Sequence, residues 1–283
     1  MIRPKQMDTN LENNKRMTAS QTGIERIAAA FENAYTTQSA AVMPYFTLGY
    51  PDIDTSVDAI EAIAAQSDLL ELGVPFSDPI ADGPTVQRTT QLSLEAGTTV
   101  KKCLQMVRDL RDRGMQTPVM LMGYMNPIMA YGLENYVADA KAAGADGFIV
   151  PDLPPEEADE IEQAANHHGL AYIHFLAPTS SERRIQGVAK RAKGFIYMVS
   201  LTGVTGARST VSEGLETLVA SVREQAEVPI AVGFGISNSE QAGQVGTFAD
   251  GVIVGSAVLN SFDNGGISGL VDFVTSLKEG VRK

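Results

Sequence analysis

Cysteine occurs once, as Cys103, so no intrachain disulfide framework can form and the chain fits a reducing compartment. No run of about 18 apolar residues is present, which gives no candidate transmembrane helix. Basic residues are scarce: 22 Lys and Arg stand against 34 Asp and Glu, for a net charge of −12. Nucleic acid and anionic membranes reward clustered Lys and Arg, so neither is expected as the main partner. An acidic chain can still bind a phosphorylated metabolite, because backbone amides hold phosphate locally. No Cys or His cluster has zinc spacing; His167 and His168 are neighbours on a helix and point to different faces. The Gly-x-x-x-x-Gly-Lys-Ser/Thr, Gly-x-Ser-x-Gly and Gly-x-Gly-x-x-Gly motifs are all missing. No low-complexity tract, charge block or break in composition marks a second domain.

What is there reads as one large α/β unit. Hydrophobic residues make up 44% and charged residues 20% of 283, ordinary values for a globular chain able to bury a core. Residues 1–22 are polar with no apolar core, unlike a secretory signal, and Asp8 and Glu12 oppose a transit sequence. A disordered tail is expected there, or an upstream start with Met7 or Met17 as the biological one.

From Gly23 onward eight short apolar runs recur, at 41–47, 69–74, 118–123, 147–150, 171–176, 194–200, 229–233 and 251–255. Each is bounded by Gly, Pro or Asp and lacks strict polar alternation, as buried parallel strands do. Helical periodicity fills the gaps at 56–66, 100–113, 155–168, 181–192, 212–225, 237–245 and 267–281, with Ser181, Ser212 and Ser239 as capping residues. Eight strands alternating with helices predict a single-domain (β/α)8 barrel over 23–283. A doubly wound sheet is the rival, but no dinucleotide fingerprint follows the first run. An extra helix at 25–34 is expected to close the bottom of the barrel. The longest strand-to-strand spacing follows the second run, as an enlarged loop at 75–96, on the face where barrels carry their chemistry.

Glu71 sits inside Leu69-Leu70-Glu71-Leu72-Gly73-Val74. A carboxylate in a buried strand either pairs with a base or rises in pKa and works as an acid. The other seven runs carry no Lys or Arg to pair with it. In the loop that follows, Asp78 and Asp82 are either local turn caps or, for one of them, a second carboxyl that divides acid and base roles with Glu71. Glycines at Gly203 and Gly206, Gly233 and Gly235, and Gly255 end three runs, either as tight turns or as a phosphate cradle built from backbone amides. Met115, Met120, Met122, Met125 and Met129 read as core filling. Cys103 lies on an apolar helix stripe, His174 reads as an interior His, and Asp152 faces the catalytic end without an assigned role.

Taken together, several motifs resemble the tryptophan synthase alpha subunit family. They are Tyr45-Phe46-Thr47-Leu48-Gly49-Tyr50-Pro51, the block from Glu71 through Asp78-Pro79 to Asp82-Gly83-Pro84, and Tyr124-Met125-Asn126-Pro127. They continue as Pro151-Asp152-Leu153-Pro154, Gly203-Val204-Thr205-Gly206-Ala207, Gly233-Phe234-Gly235-Ile236-Ser237 and Gly255-Ser256. The likeness runs in order from about Gly23 to the C-terminus, and the Glu71–Asp82 block is its most specific part.

The resemblance implies retro-aldol cleavage of indole-3-glycerol phosphate to indole and glyceraldehyde 3-phosphate, a carbon–carbon lyase step in tryptophan biosynthesis with no metal or organic cofactor in this chain. Glu71 would protonate indole C3 and help remove the glycerol hydroxyl proton. Asp82 would hold the indole N–H. Tyr197 and Thr205 would support them. Gly206, Gly235, Gly255 and Ser256 would cradle the phosphate, and Tyr45, Met122 and Phe234 would line the indole pocket. Pro75 and Asp78 would face a tryptophan synthase beta subunit that carries pyridoxal phosphate, in a cytoplasmic two-alpha, two-beta complex. Two departures stand out: Leu201 replaces an Arg of bacterial members, and Tyr45 replaces a frequent Phe.

Three rival readings remain at this stage. A sister barrel acting on another indole or anthranilate phosphate would place Lys or Cys in its strands, and none is there. A subunit kept only to activate its partner would lose Glu71 or Asp82, and both are present. A stand-alone lyase releasing free indole shares the same residues.

Overall fold

The computed structural model describes residues 21–199, 208–233 and 235–282. Its centre is a ring of eight parallel strands: β1 (Ala41–Thr47), β2 (Leu70–Gly73), β3 (Val119–Met122), β4 (Gly147–Ile149), β5 (Ala171–Leu176), β6 (Ile196–Val199), β7 (Ile230–Gly233) and β8 (Gly251–Val254). Each strand bonds to the next and β8 returns to β1, so the sheet has no edge. Helix α1 (Gly23–Thr36) precedes β1, and α2 (Ile53–Ala64) follows it. After β2 come α3 (Pro84–Glu95) and α4 (Val100–Asp112); after β3, α5 (Met125–Tyr131) and α6 (Leu133–Ala143). The later strands are followed by α7 (Asp159–His167), α8 (Glu182–Arg191), α9 (Arg208–Arg223), α10 (Ser239–Gly246) and α11 (Ser256–Gly280). The expected (β/α)8 barrel is the fold, and the doubly wound alternative is excluded by closure.

Alternate strand residues fill the barrel. Met43, Leu69, Met120, Ile149, Ile173, Phe195, Ala231 and Ile253 form one buried cluster, and Ile27 and Phe31 of α1 belong to it. The Phe31 and Phe195 rings meet at 5.7 Å. The extra helix thus plugs the N-terminal end of the barrel, as the sequence predicts. Thr22 caps α1 through a capping box with Glu25, and Gly23 donates to the Gly169 carbonyl at 2.8 Å. Residues 1–20 lie outside the described residues.

Several helix expectations need correction. The segment 75–96 is a loop only as far as Gly83. Pro84 then starts α3 at the position where proline costs no hydrogen bond. That helix buries Val86, Thr89, Thr90 and Ser93, a face of small hydroxyl residues rather than an apolar stripe, which explains why periodicity missed it. Helices α5 and α6 between β3 and β4 were also not expected. α2 begins earlier than 56, where Asp52 caps it by accepting from Thr55 N–H at 2.9 Å. Ser181 does cap α8, but Asn238 rather than Ser239 caps α10, and α9 begins at Arg208, ahead of Ser212. The segment 267–281 is the second half of α11, which bends at Gly266. Met129 is 56% exposed and so fills no core.

At the bottom of the barrel one device recurs three times. An Asp just before an even-numbered strand reaches back to a free N–H of the strand before it. Asp68 accepts from Val42 N–H at 2.7 Å, Asp146 from Val119 at 2.8 Å and Asp250 from Ile230 at 2.9 Å. Each also binds a helix cation: Lys278, Arg26 with Arg111, and Arg223, respectively. Parallel strands leave such terminal N–H groups unpaired, and a buried carboxylate that also holds a guanidinium satisfies both. Among the described residues no helix is long and apolar enough to cross a membrane.

Asp146→Ala should be the costliest of the three substitutions, since it strands two half-buried guanidinium groups and a strand N–H together. Breaking a buried pair from one side costs about 3–5 kcal/mol. Urea denaturation should show a loss of that order; less than about 1 kcal/mol would mean the arginines find water or other acceptors without strain.

Candidate active site

Glu71 and Tyr45 are register partners on β2 and β1, so their side chains enter the barrel next to each other. Glu71 is 2% exposed, and its Oε2 has no hydrogen-bond partner among the described residues. None of the eight strands carries Lys or Arg, and Glu71 forms no ion pair among the described residues. Burial first, and the nearby Asp82 second, push the Glu71 carboxyl from 4.5 up to about 8. At neutral pH it is a protonated acid.

Asp82 sits in a different setting. It lies on the β2–α3 loop, one residue before Gly83 caps α3. The Tyr124 hydroxyl donates to its Oδ2 at 3.0 Å and accepts the Ala81 N–H at 3.0 Å, which fixes the loop from both sides of the carboxylate. The Asp82 carbonyl accepts from Gln87 at 2.9 Å. Burial raises Asp82 to about 6 while the Tyr124 hydrogen bond opposes the rise. The pair therefore splits near neutral pH into an acid and an anion, with burial and one phenol setting the order. Asp78 takes no part in this. It accepts from the Ser77 hydroxyl at 2.5 Å on the exposed stretch of the loop, where Ile80 is 83% exposed.

Tyr197 on β6 points into the same space and feels both carboxyls; burial, then Glu71, then Asp82 raise its pKa well above the ordinary value. Two strand glycines make room for the phenols. A Cβ on Gly73 would lie 2.0 Å from the Tyr45 hydroxyl, and one on Gly233 would lie 2.4 Å from that of Tyr197. Met122, at the end of β3, packs partly buried against the interior cluster. Of the glycines expected to cradle phosphate, Gly235 has φ +81, a conformation L side chains rarely adopt. Gly255 caps α11, and Ser256 is its first residue, so the free amides of that helix start at the mouth of the barrel. Leu201, Thr205, Gly206 and Phe234 lie outside the described residues.

Tyr124 is the functional group that residue-by-residue reading missed. Its place just after β3 was the available signal, since side chains there border the catalytic face. Asp152 gains a role from the structure: its carboxylate accepts the Met125 N–H at 3.0 Å and so caps α5 from across the loop. Among the described residues no three His, Cys, Asp or Glu side chains converge as metal ligands would.

A family model for the tryptophan synthase alpha chain matches residues 31–276. The tryptophan synthase alpha chain of Geobacter sulfurreducens is 48% identical over 264 residues, covering 91% of this chain and 99% of its own. That of Chloroflexus aurantiacus is 47% identical over 241 residues, covering 85% and 91%. Among solved structures, a Legionella pneumophila tryptophan synthase subunit alpha superposes with a TM-score of 0.84 at 36% identity, covering 90% of this chain and 98% of its own. A Mycobacterium tuberculosis tryptophan synthase structure in an aminoacrylate-bound form gives 0.83 at 34%, covering 91% and 99%.

The buried acid should also mark the pH dependence of stability. Its pKa is higher folded than unfolded, so the folded chain holds the extra proton between about 4.5 and 8. Glu71's contribution to stability is therefore fullest below 4.5 and is lost as pH rises toward about 8. Glu71→Gln, which has no proton to lose, should be more stable than wild type at pH 8 by about a few kcal/mol, with the gap closing by about pH 4. Equal denaturation midpoints at pH 8 would mean the carboxyl ionises in the fold at no cost.

Proposed function

The chain belongs to the tryptophan synthase alpha chain family, and we propose that Glu71 and Asp82 perform in it the cleavage of indole-3-glycerol phosphate to indole and glyceraldehyde 3-phosphate. As a member of that family it is a carbon–carbon lyase of tryptophan biosynthesis, in a family with no cofactor of its own. The observation that carries the assignment of roles is the unpaired, protonated Glu71 beside an ionised Asp82.

Glu71 gives its proton to indole C3, which breaks the ring's aromaticity and leaves a cationic indolenine. Asp82 accepts the indole N–H and opposes that charge, so it matters most as the cation forms. The new Glu71 carboxylate then takes the proton of the glycerol hydroxyl next to the ring. The C–C bond electrons return to the indolenine, the carbonyl of glyceraldehyde 3-phosphate forms, and Glu71 is an acid again. One carboxyl serves both steps because its pKa lies near the working pH. Tyr197 and Thr205 support the pair. Gly206, Gly235, Gly255 and Ser256 hold the phosphate through backbone amides, and Tyr45, Met122 and Phe234 clasp the indole.

In this reading the barrel, 23–283, is the working unit, with 1–22 a tail outside it, and the enzyme works in the cytoplasm. Its partner is a tryptophan synthase beta subunit bearing pyridoxal phosphate, in a two-alpha, two-beta complex. Pro75 and Asp78 sit on the partner-facing loop. Support comes from Ile80, 83% exposed on that loop, and Met129, 56% exposed on α5. Tyr124, bonded to the loop at Ala81 and Asp82, immediately precedes α5. Large apolar side chains left in water beside a catalytic loop suit a covered surface.

Glu71→Gln should lower the indole-forming rate at least ~10²-fold while the chain stays folded. Wild-type kcat/KM should fall below about pH 6, as Asp82 takes a proton, and above about pH 8, as Glu71 loses one. A Gln variant with more than about a tenth of wild-type turnover would remove Glu71 from the mechanism.

Titration with the beta subunit from the same source should speed the lyase at least tenfold, a gain of about 1.4 kcal/mol in barrier. A fast isolated chain that forms no complex at micromolar concentrations would instead identify a stand-alone indole lyase.

A further inference from the structure

The two ends of the proposed substrate fall to two different helices. Asp82, proposed for the indole N–H, lies just before α3 begins at Pro84, and α3 holds that loop through Gln87, whose side chain donates to the Asp82 carbonyl at 2.9 Å. Gly255 and Ser256, proposed for the phosphate, are the cap and first residue of α11. These local arrangements fix each end. They do not fix the distance between the ends.

One polar cluster joins the two helices. Arg88, a turn into α3, pairs through Nη2 with Oδ2 of Asp263, which lies two turns into α11. Its Nη1 donates to the Tyr50 hydroxyl at 3.1 Å, and that hydroxyl donates to the other Asp263 oxygen. The guanidinium carbon stands 5.6 Å from the centre of the Tyr50 ring. Tyr50 is buried in the β1–α2 loop, with ring centres 6.3 Å from Phe46 of β1 and 5.8 Å from Phe262 of α11. Arg88 and Asp263 are partly exposed, and a lone pair so placed would be weak, because water competes and two long side chains must be ordered. Here cation, carboxylate and phenol each touch the other two. Both carboxylate oxygens are used, and the phenol anchors the ring of contacts to the barrel wall.

We propose that Arg88 is a positioning residue: by binding Asp263 and Tyr50 it sets the separation between the start of α3, which reads the indole, and the start of α11, which reads the phosphate. A ligand that reaches both ends gains because its second contact is made within one molecule, and the gain is lost when the spacing of the sites no longer matches the ligand. A ligand with only one end does not sense the spacing.

Because this rests on the roles proposed for Asp82 and for Gly255 and Ser256, the test reads binding and not turnover. The probes are the substrate without its two chain hydroxyls, which spans both ends but cannot be cleaved, then indole alone and propyl phosphate alone. The chain has no Trp, so the fluorescence of an indole probe stands clear of the protein; phosphorus NMR follows propyl phosphate. Arg88→Met keeps the long stem and removes the guanidinium fork. It should bind the spanning probe about tenfold more weakly than wild type, with indole and propyl phosphate within about twofold of wild type. Asp263→Asn should do the same, and the double variant should be little worse than either single one, since each breaks the same cluster. Arg88→Lys keeps the charge without the fork and should recover only part of the loss. Unchanged affinity for the spanning probe in a folded Arg88→Met chain would overturn the proposal. So would an equal loss for indole alone, which would leave the cluster as ordinary support for α3. A wild-type chain that binds the spanning probe no better than indole would overturn the assignment of the two ends itself, and the role of Arg88 with it.

Discussion

A carboxyl group sealed in an apolar barrel without a counter-ion constrains everything around it. Burial and the nearby Asp82 hold Glu71 protonated at neutral pH, and no strand carries a Lys or Arg to oppose them. The missing cation is as much a part of the site as the acid. Asp82 needs the opposite treatment, and Tyr124 supplies it with one donated hydrogen bond and one anchor to the loop backbone. Two groups of the same chemistry thus end up in different protonation states through differences in burial and a single phenol. A lone buried acid also costs stability. The barrel offsets that cost at its other end, where Asp68, Asp146 and Asp250 are paired to both a strand N–H and a helix cation. Strained electrostatics sit at the mouth and satisfied electrostatics at the floor, the division expected of this architecture.

Much of this was legible in the sequence, for identifiable reasons. The strands are apolar because both faces are buried, so eight runs gave eight strands in the right order. Glu71 was conspicuous because it interrupts one of them. What escaped notice lacked apolar contrast. Helix α3 buries Thr89, Thr90 and Ser93, which read as surface residues until Thr47 is found to bond Thr89 and the Leu48 carbonyl to bond Ser93. Helices α5 and α6 follow a Pro-interrupted and an Ala-rich stretch with little periodic signal. Tyr124 and Asp152 act across chain distances of 42 and 27 residues, on Asp82 and Met125, and no local pattern reports a contact that remote. The choice between Asp78 and Asp82 was open by spacing; it turns on which of the two a phenol and a buried loop can reach.

The two departures from the family's usual residues differ in what they touch. Leu201 falls outside the described residues. Tyr45 has a clear physical context: its hydroxyl is buried over Gly73 and shares a hydrogen bond with the Thr47 hydroxyl, which in turn meets that of Thr89. A phenol at this place thus depends on several residues, and the threonine on α3 is the member furthest from the pocket.

The plug formed by α1 has a consequence for where the reaction's hydrogens come from. Ile27 and Phe31 close the floor, so among the described residues the way from solvent to Glu71 is through the mouth. With substrate filling that mouth, the carboxyl exchanges with nothing but the substrate. Under the proposed roles, the hydrogen it would take from the glycerol hydroxyl in one turnover stays on it until product leaves. Whether it reaches the next indole or is lost to water depends on how long the mouth stands empty. A crowded, saturated enzyme would carry isotopic memory from one substrate molecule to the next, and a dilute one would forget it.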